Sequence, residues 1–293
     1  MHPYWFFIGP LPVRAYSTIF VSAFLLGLAV ALYILKAEGK AHWSQHVMDM
    51  AFWWFIGGIL GARFWQVFFF DWAFYKANPL EIPAIWHGGL SIQGGVAGAI
   101  VASIIYCRKY KLPLWQLADM MAPGIILGQS IGRDANLMNG DAFGSPNPGG
   151  FGLVYPPESL AAQTYPGKVL WPAEVWEGQL DVIIFALLLL YMLARPKRTQ
   201  GSVFLAYMIL YNGARIGLEM LRGDSPRFAG FTAAQWTSVV VLVVCAGLWV
   251  YLWWRERQGP GAGAGTPAEP EGPVPVLATG AAAEPETPAE PQE

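Results

Sequence analysis

Seven runs of apolar residues, each near the length that crosses a roughly 30 Å hydrocarbon core, leave this chain few options but a lipid bilayer. They are Tyr16 to Leu35, Met48 to Phe70, Leu90 to Tyr106, Leu114 to Ile131, Val175 to Ala194, Val203 to Leu218 and Ala234 to Trp254. The third and sixth are short and reach full length only through neighbouring polar residues. A soluble helical protein would have to cover all of these runs at once. With 55% hydrophobic and 13% charged residues, the chain lacks the polar surface for that. The expected fold is all-α, a polytopic inner-membrane protein with about seven transmembrane helices.

Charge in the short loops fixes an expected orientation. Lys36 and Lys40, Arg108, Lys109 and Lys111, Arg195, Lys197 and Arg198, and Arg255 and Arg257 fall on one side, which the positive-inside rule makes cytoplasmic. An odd number of spans then puts the N-terminus, with Trp5, Phe6 and Phe7, on the extracytoplasmic side. The first span has only Arg14 before it and no convincing small-residue cleavage signal, so it reads as a retained anchor. The expected organisation is one membrane domain over residues 1–257. A Gly-, Ala-, Pro- and Glu-rich tail over 258–293 has too few large apolar residues to form a core and is expected to be a disordered cytoplasmic extension.

The two cysteines, Cys107 and Cys245, suggest no disulfide framework. The four histidines form no HExxH or clustered metal pattern. No metal, cofactor or nucleic acid partner is expected.

Three polar clusters interrupt this apolar chain at its extracytoplasmic end. The first is His87-Gly88-Gly89-Leu90-Ser91-Ile92-Gln93-Gly94-Gly95. Gly94 and Gly98 have the small-xxx-small spacing of closely packed helices, Gly88 and Gly89 allow the backbone to turn around a ligand, and His87 can exchange protons near neutral pH. The alternative for His87 is a cap or loop hydrogen bond.

The second cluster runs from Gly132 through Arg133, Asn136, Asn139, Gly140 and Asp141 to Gly144. A guanidinium presents a fixed fork of donors suited to phosphate. Asn136 and Asn139 can present amides from one side of a helical turn, and Asp141 can orient Arg133 or bind a polar substrate group. The third cluster holds Arg215, Glu219 and Arg222, whose spacing puts all three charges along one helix face. For both clusters the rival reading is structural ion pairing. Three such clusters at one end of the spans imply a common cavity.

In this order the motifs resemble the bacterial prolipoprotein diacylglyceryl transferases, over Gly9 to about Ser238. The likeness rests on His87 to Gly95, on Gly132 to Gly140, on Arg215, Glu219 and Arg222, on Tyr16 after Arg14-Ala15, and on Gly61-Ala62-Arg63. The chain departs from the family pattern at Asp134 and Ala135, at Asp141 where the family has Glu, and at Trp171 where it has His. Pro172 and Glu177 remain.

The resemblance implies transfer of a diacylglyceryl group from phosphatidylglycerol to the lipobox cysteine of an exported prolipoprotein, with release of glycerol phosphate. The chemistry of the side chains makes His87, Arg133 and Arg215 the expected catalytic residues. Tyr16, Asn136, Asn139, Asp141, Gly144, Glu219 and Arg222 would bind substrate. Arg63, Gly88, Gly89, Gly94, Gly95, Gly132 and Gly140 would support them. The alternatives are another phospholipid-headgroup transferase or hydrolase, and a non-enzymatic lipid- or signal-peptide-binding paralogue. A transporter would call for an inverted pair of broken helices, which the sequence does not suggest.

Overall fold

A computed structural model describes residues 4–9, 11–224 and 227–258. The chain opens with an antiparallel hairpin, β1 (Tyr4–Ile8) and β2 (Leu11–Arg14), which the all-α expectation did not include. Trp5, Phe6 and Phe7 lie on β1 with their side chains exposed.

The long helix α1 (Ala15–Ala37) follows directly. Next comes α2 (Ser44–Trp65), continued by a π-helical turn over Gln66–Phe70. A short helix α3 (Trp72–Ala77) and two 3-10 turns, Pro79–Glu81 and Ile85–His87, lead to α4 (Ile92–Lys109). The chain continues through α5 (Leu114–Asn139), a short α6 (Leu160–Thr164), α7 (Ala173–Ala194) and α8 (Ser202–Leu218). A small ribbon of β3 (Arg227–Phe228) and β4 (Phe231–Thr232) precedes α9 (Ala233–Arg257).

Each of the seven apolar runs contains a long helix. Four of them, Ala15–Ala37, Ala41–Phe70, Ala173–Ala194 and Ala233–Arg255, are long and apolar enough to cross a bilayer on length and composition alone. Of the others, α4 is rich in glycine, α5 carries Asp119, Arg133 and Asp134, and α8 has 17 residues. The protein is a predominantly helical membrane protein whose apolar side chains face outward along the helices, as Val240, Val243 and Val250 do on α9. The expected tail lies outside the described residues beyond Gln258.

Two helix contacts rest on glycine. Between α2 and α4, Gly61 and Gly94 meet backbone to backbone, and a Cβ on either would run into the other's carbonyl oxygen; Gly57 and Gly98 meet in the same way. Bilayer lipid gives helices little hydrophobic reason to associate, so such close backbone approach supplies the packing energy. Gly27 of α1 and Gly124 of α5 make the second contact. Gly95 has more room, its nearest neighbour being the Gly58 carbonyl oxygen at 3.6 Å from an added Cβ.

The core gathers around α5, where Leu117, Met120 and Ile126 pack with Leu35, Met50, Leu188 and Val203. At the basic end of the molecule, the buried Asp119 carboxylate accepts from the backbone N–H groups of Gly201 (2.7 Å) and Phe204 (2.9 Å). It caps α8 from a neighbouring helix, satisfying donors that the first turn leaves open. α8 is thereby fixed against α5, and the opposite ends of α5, α7 and α8 form the site.

Candidate active site

The helix does not stop where the apolar run ends at Ile131. α5 continues through Gly132 and Arg133 to Asn139, and Gly140 ends it in the left-handed region at φ 70°. That conformation favours glycine at the residue after a helix. An added Cβ at Gly140 would also stand 2.6 Å from Ser159 Cβ. The extra two turns carry Arg133 and Asn136 to where α7 begins and α8 ends. Ser130 Oγ donates to the Gly178 carbonyl at 2.9 Å, tying α5 to α7 beside the arginine. Gly132 has nothing within 4 Å of an added Cβ, so packing gives no reason for glycine there.

One buried carboxylate organises the cluster. Glu177, on the first turns of α7, is 2% exposed. Arg215 Nη1 donates to both its oxygens, at 2.7 and 2.6 Å. Arg133 Nη2 lies 2.7 Å from Oε1, and Arg222 Nη1 lies 3.8 Å from Oε2. The Tyr211 hydroxyl stands 3.5 Å from both Arg133 Nη2 and Glu177 Oε1. Asp181, one turn further along α7, is fully buried with Oδ2 lacking a hydrogen-bond partner, within electrostatic reach of Glu177, Arg133 and Arg215.

The third polar cluster is not a single helix face. α8 stops at Leu218, Glu219–Leu221 forms a 3-10 turn, and Arg222 has extended backbone. The Arg215–Glu219 pairing expected at i,i+4 does form, with Nη2 to Oε2 at 2.8 Å. This contact has ion-pair distance without hydrogen-bond alignment, and Glu219 Oε1 has no partner although the residue is fully buried. Arg222 leaves Glu219 and takes Asp224 instead, at 2.9 and 2.8 Å. The change of backbone after Leu218 turns its guanidinium away from the helix face and towards Glu177.

Gly144 explains how Arg222 is held. The two residues form an isolated antiparallel bridge, flanked by Ser145 N–H to Leu221 O at 2.7 Å and Gly223 N–H to Phe143 O at 3.1 Å. A Cβ on Gly144 would overlap the Trp171 carbonyl. The loop after α5 can thread between Trp171 and the Arg222 strand only if this residue has no side chain. A small satellite core of Phe143, Tyr155, Ala161 and Leu170 supports the loop.

Asp141 does not pair with Arg133. Both its oxygens are taken by amides, Asn136 Nδ2 at 2.7 Å and Asn139 Nδ2 at 2.7 Å. Arg133 touches this group only through Asn136 Oδ1, at 3.4 Å. Glu177 already occupies the arginine, so Asp141 serves to lock the two asparagines across the helix end. Tyr16, partly exposed at the start of α1, is within electrostatic reach of Asp141 and Arg133.

The first polar cluster is built around Arg63 of α2 rather than around a ligand. Its guanidinium donates to the carbonyls of Ile82 (2.8 Å), Gly88 (2.6 Å), Gly89 (2.8 Å), Ala84 (3.1 Å) and Glu81. It also lies over the Tyr75 ring at 4.9 Å. Gly88 and Gly89, at φ +88° and +70°, supply the left-handed turns that aim two of those carbonyls inward. His87 rides on this loop with its side chain 59% exposed, and its Nδ1 lies 2.7 Å from Glu81 Oε2. No contact among the described residues joins His87 to the Glu177 cluster.

A family model described as prolipoprotein diacylglyceryl transferase matches residues 3–252. The chain belongs to that family. A phosphatidylglycerol–prolipoprotein diacylglyceryl transferase of Listeria welshimeri is 35% identical over 246 residues, covering 83% of this chain and 87% of that one. Proteins of the same name from a Nostoc species and from Acaryochloris marina are 33% and 32% identical, over 86% and 85% of this chain and 90% and 91% of theirs.

Within this diacylglyceryl transferase fold, the structure draws Arg133, Arg215, Glu219, Arg222 and, through amides and backbone, Asn136, Asp141 and Gly144 into one site. It leaves His87 on a separate loop, which Arg63 of α2 holds through the loop's carbonyls. Sequence reasoning missed Glu177, Tyr211 and Asp181 as members of the site. The available signal was the pair of acids at i and i+4, Glu177 and Asp181, in an otherwise apolar span: such groups need partners at that depth, and the arginines are those partners.

Proposed function

We propose that this protein transfers the diacylglyceryl group of phosphatidylglycerol to the lipobox cysteine of exported prolipoproteins, a step of lipoprotein biosynthesis at the inner membrane. The observation that carries the reading is the convergence of Arg133, Arg215 and Arg222 on Glu177 at one end of the helix bundle. Internal carboxylates do not exhaust these arginines. Arg133 Nε and Arg222 Nη1 are buried without a hydrogen-bond partner, and guanidinium donors of this kind suit a phosphodiester.

In the reaction, the acceptor thiolate attacks the diacylglyceryl CH2 carbon that carries the phosphate oxygen. A C–S bond forms, the C–O bond breaks, and its electron pair leaves with glycerol phosphate. Arg133 and Arg215 hold the headgroup and stabilise charge building on the departing phosphate, with Asn136, Asn139, Glu219, Arg222 and Tyr16 shaping the site. His87 takes the thiol proton. Glu81 at Nδ1 favours the tautomer that leaves Nε2 as the accepting nitrogen.

The reading carries a topology with it: seven spans, an extracytoplasmic N-terminus, a cytoplasmic tail after residue 257, and an active site at the outer face, where lipid and acceptor both reach it. The basic residues at the α1–α2, α4–α5 and α7–α8 connections support that orientation.

The test is reconstitution of purified protein with phosphatidylglycerol and a lipobox peptide, followed by mass spectrometry of the cysteine. The expected product is a diacylglyceryl addition that disappears when the acceptor cysteine is serine. Glycerol phosphate released without any acceptor would identify a hydrolase instead, and tight binding of lipid or peptide without product would identify a binding protein.

A further inference from the structure

A cavity lies at the other end of the helices that build the Glu177 cluster. Its volume is 340 Å³, and Arg195, Lys197, Arg198 and Arg257 line it together with Trp249 and Trp253. Glu177 and Arg195 are separated by essentially the whole of α7, about 27 Å at 1.5 Å per residue. The two sites therefore sit near opposite surfaces of the membrane domain.

The charge at this cavity is not internally balanced. Arg198 pairs with Glu38 at 2.7 Å, and Arg257 lies over the Trp253 ring at 3.8 Å. Among the described residues no carboxylate pairs with Arg195, Lys197 or Arg257. A second feature points to a ligand independently. Ser202, 3% exposed, lines the cavity with an Oγ that has no hydrogen-bond partner. A buried hydroxyl is ordinarily satisfied, and here it stands beside the cations, on the first residue of α8.

We propose that this cavity is a second, non-catalytic site that binds the phosphate of an anionic phospholipid in the leaflet at the basic face. The phosphate oxygens accept from Arg195, Lys197 and Ser202 Oγ. The acyl chains lie along the exposed apolar faces of α7 and α9, where Leu190, Leu193 and Val250 are uncovered. A lipid fits better than a dissolved anion because Trp249 and Trp253 frame the opening. Indole rings favour headgroup depth, and basic pockets between spanning helices at that depth recognise anionic headgroups. The rival occupant is the chain's own tail, with Glu269, Glu271, Glu284, Glu286, Glu290 and Glu293 and no basic residue beyond Gln258.

The test counts lipids bound to the full-length chain in detergent by native mass spectrometry, with dioleoylphosphatidylserine compared against dioleoylphosphatidylcholine. Wild type is expected to retain one more phosphatidylserine than Lys197→Gln/Arg257→Gln does, with no such difference for phosphatidylcholine. Each charge removed lowers affinity roughly fivefold, so Lys197→Gln alone gives a measurable loss if the double variant fails to fold, while Lys197→Arg keeps the lipid. Equal phosphatidylserine loading of wild type and variants overturns the proposal. So does displacement of the lipid by inorganic phosphate at equal concentration, which would make the site one for free anions. Lipid loading that appears only after the six tail glutamates are changed to glutamine would give the cavity to the tail.

Discussion

Glu177 presents both carboxylate oxygens to a single Arg215 nitrogen, Nη1, at 2.7 and 2.6 Å. The other face of Oε1 still receives Arg133 Nη2 at 2.7 Å. A residue on α7 thus sets the positions of arginines from α5 and α8. Removing the carboxylate leaves two part-buried cations without their shared partner, which costs up to about 3–5 kcal/mol, the range for a broken buried pair. Glu177→Gln is expected to lower the thermal midpoint and to reduce transfer by at least about a hundredfold. Turnover and melting measured on the same preparation check both, and wild-type values for each would remove Glu177 from this role.

Replacing Arg133 by lysine keeps a charge but loses the planar fork. Arg133→Lys is expected to stay impaired in transfer, and Arg133→Ala and Arg215→Ala to lose about 2–5 kcal/mol of binding or transition-state interaction. Kinetics on folded protein decide the matter. Near-normal transfer by both alanine variants would sink the assignment of these arginines to the headgroup.

Gly144→Ala puts a methyl group where the Trp171 carbonyl lies. The loop must shift, and the Gly144–Arg222 bridge with it. The expected result is a folded helical protein with strongly reduced transfer, since the helices do not depend on this bridge. Circular dichroism and activity, compared with Gly132→Ala as a control at a position with open space, test the distinction.

Arg63 acts on the loop that carries His87 by holding five carbonyls. Arg63→Lys cannot reach them all with one ammonium. Faster hydrogen exchange is expected over residues 81–89, together with lost transfer. In the same assay, His87→Gln and His87→Ala are expected to depress turnover and alter its pH profile; unchanged turnover and profile in both would remove His87 as the base.

The proposed orientation predicts that a cysteine introduced at Ala262 is inaccessible to an impermeant thiol reagent in intact cells, whereas one at Trp5 reacts. Rapid labelling at Ala262 from outside would reverse the topology.

Residue order alone sets the solvent of this protein, the approximate limits of its long helices and the close-packing spacing of Gly94 and Gly98. These follow from local properties: apolar length against bilayer thickness, and the absence of a side chain where two backbones touch. It also drew attention to Arg133, Arg215 and Gly144 as candidates, because charge and glycine are conspicuous in an apolar chain. Only the tertiary structure decided which charges meet. Arg133, Glu177 and Arg215 come from three helices far apart in sequence, so no periodicity reveals that Glu177, rather than Asp141, receives Arg133, or that Arg222 leaves the face it shares with Glu219. Nor does the spacing of His87, Gly88 and Gly89 reveal that their loop closes around Arg63. A buried ion takes whichever partners folding brings within reach, and that choice is made between helices.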